Sequence, residues 1–188
     1  MLEKSLVLVK HDGVVRGLIG KIIGRLEETG LKIIGLKMIW ADEKLAKNHY
    51  VVEEEWARNV FEKSKKTHEM EGKKFEYNDS MKFAAMIQKY NVDFLMEGPV
   101  IAMVVEGPNA IEIIRKIIGN TEPRQAAPGT IRGDYIMIES YAVADKKKRV
   151  VRNLVHASDS VKNAEREIDL WFEDNELHNY RKELDRHY

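Results

Sequence analysis

One histidine in this chain lies where a predicted β-strand ends and a predicted helix begins. The segment reads Asn153-Leu154-Val155-His156-Ala157-Ser158-Asp159-Ser160. A short apolar strand would carry His156 to an edge of a sheet, and the serines and aspartate after it would open a helix. Neutral imidazole is a nucleophile near pH 7, because its ordinary pKa leaves much of it unprotonated. The segment predicts a nucleophilic histidine or, as the plainer alternative, a strand histidine satisfied by ordinary hydrogen bonds.

A carboxylate close behind His156 could hold its ring. Ser158 lies two residues further on, and Glu167 lies on the predicted helix 160–172. A carboxylate bound to one ring nitrogen would fix the ring and stabilise the positive charge that forms when the other nitrogen attacks. Glu167 is therefore the predicted partner of His156.

Residues suited to bind phosphate occur elsewhere in the chain. Arg115 lies near the end of a predicted helix, Arg132 lies in a loop rich in glycine and proline, and Thr121 lies between them. Guanidinium groups and a hydroxyl match phosphate oxygens in shape and charge, and Lys10 at the end of the first predicted strand could add a further cation. Gathered around His156, these groups would stabilise a phosphoryl group during its transfer. Each of them, taken singly, could equally be a solvated surface residue.

Composition narrows the function classes. Lys+Arg and Asp+Glu both number 31, so a net charge of zero argues against non-specific binding to nucleic acid or to a membrane surface. The chain has no cysteine, which excludes disulfides and thiolate metal sites. No signal peptide or spanning helix is visible, so a cytoplasmic protein is expected.

Several familiar motifs are missing. The chain has neither a P-loop nor the protein-kinase signature set. We expect no metal held by protein side chains, and we expect magnesium, if used, to arrive on a nucleotide. Five other histidines look scattered among charged residues and are predicted to be solvated: His11, His49, His68, His178 and His187.

The pattern of apolar residues predicts alternating strands and helices in one domain, 1–188. Strands are expected at 5–9, 31–40, 99–105 and 152–156, and helices at 16–28, 42–50, 110–118 (capped by Asn109) and 160–172. This order indicates the ferredoxin-like, split βαβ class of α+β folds, with a four-stranded antiparallel sheet and helices packed on one face. Two segments are interpreted as insertions, a mostly helical one at about 51–97 and an extended or irregular loop at about 135–150, while 121–134 is predicted to be a loop.

With these residues identified, the chain resembles the nucleoside diphosphate kinases from about Lys4 to Tyr180, apart from the two insertions. Four blocks carry the resemblance: 8–20 with Lys10, 98–107, 119–134 with Thr121 and Arg132, and 153–168 with the Asn-to-Ser segment around His156. The family usually has proline after the lysine of the first block, whereas this chain has His11.

The resemblance implies a ferredoxin-like fold and a ping-pong reaction. A nucleoside triphosphate, usually ATP, would phosphorylate His156, and a second nucleoside diphosphate would take the phosphoryl group, with Mg²⁺ bridging the nucleotide phosphates. By position, it implies phosphate contacts for Lys10, Arg115, Thr121 and Arg132. It implies that Asn153 contacts the sugar and the lysine, that Tyr50 lies beside the histidine, and that Ser158 and Glu167 orient it.

The resemblance also implies a homo-oligomer, which could be a hexamer, a tetramer or a dimer. The family stacks the base on an aromatic side chain from the segment that is much longer here, so that Phe61 and Phe83 are both candidates. Two alternatives remain: a non-catalytic member of the same fold, and an RNA-binding ferredoxin-like sheet, although the strands lack the aromatic signature of RNA-binding sheets.

Overall fold

A computed structural model describes residues 2–70, 72 and 74–183, and His187 lies outside them. The strands are β1 (Leu2–Val9), β2 (Lys32–Ile39), β3 (Val100–Pro108) and β4 (Val155–Ala157). The helices are α1 (His11–Val15), α2 (Ile19–Glu27), α3 (Glu43–His49), α4 (Glu54–Met70), α5 (Ser80–Met96), α6 (Ala110–Ile118), α7 (Ile131–Tyr135), α8 (Tyr141–Lys146) and α9 (Val161–Trp171), with 3-10 turns at Pro123–Gln125 and Asp174–Glu176.

The four strands form one antiparallel sheet in the order β2-β3-β1-β4. This order and the alternation with helices confirm the predicted ferredoxin-like α+β class. The central strands β1 and β3 pair along eight positions from Leu2 opposite Pro108 to Val9 opposite Ile101. The short strand β4 pairs with the far end of β1, which places His156 opposite Leu8 at a sheet edge.

The expectation that helices cover one face is wrong, because both faces of the sheet are buried. Val7 and Val9 of β1 point into a core shared with α2 and α6, whereas Leu6 and Leu8 point into a second core shared with α3, α5 and α9. All four side chains are 0% exposed. A strand buried on both faces needs a continuous apolar run instead of alternation, and the run from Leu6 to Val9 has that pattern.

Local signals explain most helix starts. Asp42, Asp79 and Ser160 accept hydrogen bonds from the first turns of α3, α5 and α9, as N-caps do. The predicted cap at Asn109 is wrong: its side chain makes no capping bond, and Glu3 from β1 accepts the N–H of Ile111 instead.

The two segments predicted to be insertions differ from one another in regularity. The first is a helical hairpin of α4 and α5, as predicted. The second, expected to be extended or irregular, contains α8, and the predicted loop 121–134 contains the start of α7. Short helices capped by single serine or threonine side chains explain the difference, since Ser140 caps α8 and Thr130 caps α7. Within the described ranges, no helix is long and apolar enough to cross a membrane.

Candidate active site

A strained turn delivers His156 to the sheet edge. Leu154, two residues before it, is fully buried and has a φ of +66°, a left-handed conformation that costs a leucine about 1–2 kcal/mol. Two contacts hold this turn: Asp12 Oδ2 accepts the N–H of Leu154 at 3.1 Å, and the N–H of Lys10 donates to its carbonyl at 2.7 Å. The start of α1 therefore fixes the backbone that presents His156.

Glu167 of α9 binds one nitrogen of the His156 ring. Oε2 of Glu167 lies 3.1 Å from Nε2 of His156 and accepts a second hydrogen bond, at 2.6 Å, from the hydroxyl of Ser158. That hydroxyl in turn accepts the N–H of Leu6. Burial alone would raise the pKa of Glu167, but the charge of and hydrogen bond from His156 lower it to about 2. The carboxylate is ionised and can only accept, so the proton of neutral His156 lies on Nε2 and Nδ1 keeps its lone pair.

Lys10 and Asn153 form a buried polar contact beside this turn. The ammonium of Lys10 donates to Oδ1 of Asn153, and Nδ2 of Asn153 donates to the carbonyl of Thr121 at 2.8 Å. Lys10 is 5% exposed, and its Nζ also lies 5.3 Å from the ring centre of Phe94. The residue predicted to contact the lysine does so, and it links the lysine to the loop after α6.

Arg132 of α7 is bound by backbone carbonyls. Its guanidinium donates to the carbonyls of Asn153, Gly119 and Val155, at 3.0, 2.8 and 2.5 Å. The side chain is 6% exposed, so these bonds compensate part of the cost of burying its charge. They also connect the loop around Gly119 to the strand that carries His156.

The cations of the site repel one another. Burial lowers the pKa of Lys10 to about 8, with Arg132 adding to the shift and Asp12 opposing it. Burial, followed by the charge of Arg115, lowers the pKa of Arg132 to about 10. Arg115 itself is exposed near the end of α6. Positive groups held close together against their own repulsion are the arrangement expected of a site for a polyanion such as a phosphate chain.

Tyr50 lies at the end of α3, and its ring packs against that of His49 with 4.6 Å between the ring centres. Burial raises the pKa of Tyr50, and the nearby charges of Glu167 and Asp12 raise it further. Its phenol therefore stays protonated and available as a hydrogen-bond donor. Gln88 of α5 holds the backbone there by donating to the Tyr50 carbonyl at 2.6 Å.

The prediction that His49 is solvated is wrong. Its side chain is 3% exposed, and its ring packs at right angles to that of His156, with 4.5 Å between their centres. Ala46, three residues earlier on α3, is fully buried, so the spacing within this helix was the available signal. Ligand atoms of His49, His156 and Glu167 lie within 4.8 Å of one another, so the buried ring of His49 is part of the same cluster as the predicted nucleophile.

The two candidates for base stacking lie in one aromatic cluster of the hairpin. The ring centres of Phe61 and Phe83 are 5.9 Å apart. The ring centre of Phe75 lies 5.1 Å from that of Phe61 and 5.3 Å from that of Phe83. Phe83 is only 5% exposed, so packing within the hairpin occupies its ring, while Phe61 is half-buried.

Two further residues that sequence reasoning did not assign support the site. Asp12 holds the strained backbone before His156. Arg166 of α9 donates to the carbonyl of Asn48 at 2.8 Å and to that of His49 at 3.4 Å, which ties the end of α3 to α9. Neither contact joins neighbours in sequence, so no local pattern could have revealed it.

The assembled geometry suits phosphoryl transfer. It offers a ring nitrogen with a free lone pair, a carboxylate bound to the other ring nitrogen, and nearby cations whose charges interact. Little covalent chemistry is needed in such a reaction, because positioning and electrostatic stabilisation supply most of the rate.

Comparisons with known proteins point to one family. The family model for nucleoside diphosphate kinase matches residues 3–75 and 77–177. A nucleoside diphosphate kinase from Pyrobaculum aerophilum is 43% identical over 180 residues, covering 94% of this chain and 98% of that protein. One from Archaeoglobus fulgidus is 42% identical, covering 96% of this chain and 93% of that protein.

Solved structures extend the likeness to three dimensions. The crystal structure of an NDP kinase from Pyrobaculum aerophilum superimposes with a TM-score of 0.90 at 40% identity, covering 95% of this chain and all of that one. A transition-state mimic of the Borrelia burgdorferi enzyme, with bound vanadate and ADP, superimposes with a TM-score of 0.80 at 36% identity, covering 100% of this chain and 96% of that one. The chain thus belongs to the nucleoside diphosphate kinase family, a family of nucleotide-binding phosphotransferases.

Proposed function

We propose that this protein transfers the γ-phosphoryl group of a nucleoside triphosphate, usually ATP, to a nucleoside diphosphate through a phosphohistidine at His156. The observation that carries the proposal is the contact between Nε2 of His156 and Glu167, which leaves Nδ1 free to attack. The His156 side chain keeps 22% of its surface exposed, so a substrate can reach it. The two half-reactions would use one site in turn, which is a ping-pong mechanism.

Each half-reaction balances without outside reagents. The Nδ1 lone pair forms a bond to the γ-phosphorus, the bond from that phosphorus to the β–γ bridging oxygen breaks, and its electron pair leaves with the nucleoside diphosphate. The ring keeps its Nε2 proton and becomes positively charged beside the Glu167 carboxylate. A terminal oxygen of a second nucleoside diphosphate then attacks the phosphorus, and the electron pair of the N–P bond returns to Nδ1. Equivalent anhydrides are exchanged, which suits the maintenance of NTP and dNTP pools.

The cationic residues would bind the phosphates. The charge of Arg132 lowers the pKa of Lys10, and the charge of Arg115 lowers that of Arg132, so an anion bound among these cations would relieve their mutual repulsion. The hydroxyl of Thr121 would add a phosphate contact, and Asn153 would bind the sugar as well as the lysine. The phenol of Tyr50 would donate a hydrogen bond to a phosphate oxygen.

Magnesium fits this site as a nucleotide-borne ion. Among the described residues, the group that could ligate a metal is made of two imidazoles and one carboxylate, whereas Mg²⁺ prefers oxygen ligands and bound phosphates. We therefore assign no protein ligand to it. Carried by the nucleotide, the ion would neutralise part of the phosphate charge, while Lys10 and the two arginines would orient the chain of phosphates.

A homo-oligomer is also part of the proposal. Strand β2 lies at the edge of the sheet, and its Leu36 and Met38 are 53% and 58% exposed on one side of the strand. A paired second copy would cover such an apolar edge. Analytical ultracentrifugation tests this expectation, and a monomer at micromolar concentration would contradict it. A cytoplasmic location stays a prediction, which cell fractionation tests.

Labelling separates this function from a non-catalytic role. Protein incubated with γ-labelled ATP and Mg²⁺ should acquire acid-labile, base-stable label, and the isolated phosphoprotein should pass it to GDP, CDP or UDP. His156→Asn should abolish labelling, whereas His178→Asn, at an exposed histidine, should not. Undiminished labelling of the His156 variant, or a phosphoprotein that cannot discharge to any nucleoside diphosphate, would refute the proposal.

A further inference from the structure

A second imidazole lies in the site and has no part in the transfer described above. His49, the last residue of α3, is packed by three rings at steep angles: Tyr50 at 4.6 Å, His156 at 4.5 Å and Trp171 at 5.6 Å between ring centres. It is 3% exposed, so its neighbours determine its protonation.

Trp171 selects the tautomer of His49. The indole Nε1–H donates to Nδ1 of His49 at 3.2 Å, and an indole nitrogen can only donate. Nδ1 must therefore keep its lone pair, and the proton of the neutral ring lies on Nε2. That Nε2 is buried and has no hydrogen-bond partner among the residues that the structure describes. A doubly protonated ring would set its Nδ1–H against the indole N–H, so the contact disfavours the cation.

A metal ion does not explain this arrangement, although ligand atoms of the two histidines and Glu167 lie within 4.8 Å. Nδ1 of His49 already accepts a hydrogen bond, and its Nε2 carries the proton. Oε2 of Glu167 already accepts two hydrogen bonds. A metal would have to displace all three contacts.

The charge state of His49 matters because Glu167 lies near both rings. A cationic His49 would compete with His156 for the carboxylate and would repel the positive ring of the phosphohistidine. Burial lowers the pKa of His49 well below its usual value, and so do His156 of β4, Arg166 of α9 and Lys10 at the end of β1, while Glu167 alone opposes them. On helix α5, which packs against α3, Lys89 and Asp93 form an ion pair with each other.

We propose that His49 is a positioning residue for the phosphoryl transfer, held neutral and perpendicular to His156 by Trp171, so that Glu167 serves His156 alone. This rests on the proposed function of His156. The hydrogen bond from Trp171 to His49 makes the tryptophan part of the site, although Trp171 touches neither the substrate nor the reacting ring nitrogen. Its loss would show as a change in pH dependence, which a general packing defect would not produce.

The pH profile of His156 phosphorylation in Trp171→Phe tests the proposal. Without the indole donor, Nδ1 of His49 can take up a proton. The acid limb of the pH–rate profile should therefore shift to higher pH, by about half a pH unit or more. Trp40→Phe is the matched control, because this exposed indole donates to the carbonyl of Met96 outside the site. Its acid limb should match that of the wild type.

A double variant separates the charge of His49 from packing. Glutamine at position 49 does not titrate, so Trp171→Phe combined with His49→Gln should return the acid limb to the wild-type pH. An unshifted limb in Trp171→Phe, or a shift that persists with His49→Gln, would overturn the proposal.

Histidine ¹⁵N NMR of the wild-type protein provides a test that needs neither folding of a variant nor activity. His49 should show the Nε2–H tautomer and should titrate, if at all, well below the usual range of histidine. An Nδ1–H tautomer of His49, or titration of His49 near the usual pKa of histidine, would refute this proposal even if His156 is phosphorylated. Failure of wild-type labelling, by contrast, would refute the proposed function and leave the NMR result standing.

Discussion

Replacing Glu167 with glutamine probes how strongly the site depends on a charge behind the ring. Oε2 of Glu167 accepts hydrogen bonds from His156 at 3.1 Å and from Ser158 at 2.6 Å, and the residue is 5% exposed. Glutamine keeps the shape and an acceptor oxygen but loses the negative charge. Charge-assisted hydrogen bonds contribute about 1.5–3 kcal/mol where neutral ones contribute about 1 kcal/mol. A loss of about 1–2 kcal/mol in the transition state corresponds to phosphorylation roughly 5- to 30-fold slower.

Rapid-quench measurement of the first half-reaction, with labelled ATP and Mg²⁺ in excess, gives this rate directly. Glu165→Gln is the matched control, since this exposed glutamate lies on the same helix two residues earlier. We expect it to label at the wild-type rate. A Glu167→Gln rate equal to that of the control would show that the carboxylate charge does not stabilise the reacting ring.

The same substitution predicts a pH dependence of stability. The pKa of Glu167 falls from 4.5 to about 2 on folding, so the ionised carboxylate stabilises the folded protein above about pH 4.5. This contribution is lost as the pH falls towards 2. The difference in unfolding free energy between wild type and Glu167→Gln should therefore narrow between about pH 5 and 3, measured by urea unfolding. A gap that is constant with pH would contradict the assignment.

Two further changes test other parts of the site. Because the pKa of Lys10 is about 8 in the folded protein and an anion favours its charged form, ADP binding at about pH 8.5 should take up protons. Calorimetry in buffers of different ionisation enthalpy measures this uptake, and Lys10→Arg should reduce it. A wild-type binding enthalpy that does not change with the buffer would refute the prediction. Gly133→Ala would place a Cβ 2.0 Å from the carbonyl oxygen of Ala127 and should cost about 1–3 kcal/mol, whereas Gly20→Ala has open space. Equal thermal melting temperatures for the two alanine variants would contradict the packing around Arg132.

Local patterns predicted the elements that carry the site. The apolar run Leu6–Val9, the cap at Asp42 and the cap at Ser160 are signals that a few neighbouring residues determine, and the structure contains the strand and both helices. The partnership of His156 with Glu167 was also predictable, because one short turn separates the strand from the helix. The packing of helices on both faces of the sheet was missed, although the unbroken apolar run of β1 pointed to it.

The supporting contacts were beyond local reasoning. His49 and Trp171 are 122 residues apart in sequence, and Asp12 and Leu154 are 142 apart. Such pairs form only when the fold brings α1, α3 and α9 to the edge of the sheet, so the sequence suggested that His49 is solvated. The backbone strain at Leu154 was equally hidden, since a leucine gives no sign of a positive φ.

The position of the phosphoryl group on the ring tests the central claim most directly. Protein labelled with ¹⁵N-histidine and phosphorylated by ATP would show, through the ³¹P–¹⁵N coupling, which nitrogen carries the phosphorus. The contact of Nε2 with Glu167 predicts a phosphohistidine at Nδ1 of His156. Phosphorus on Nε2 of that ring, or on another residue, would contradict the account.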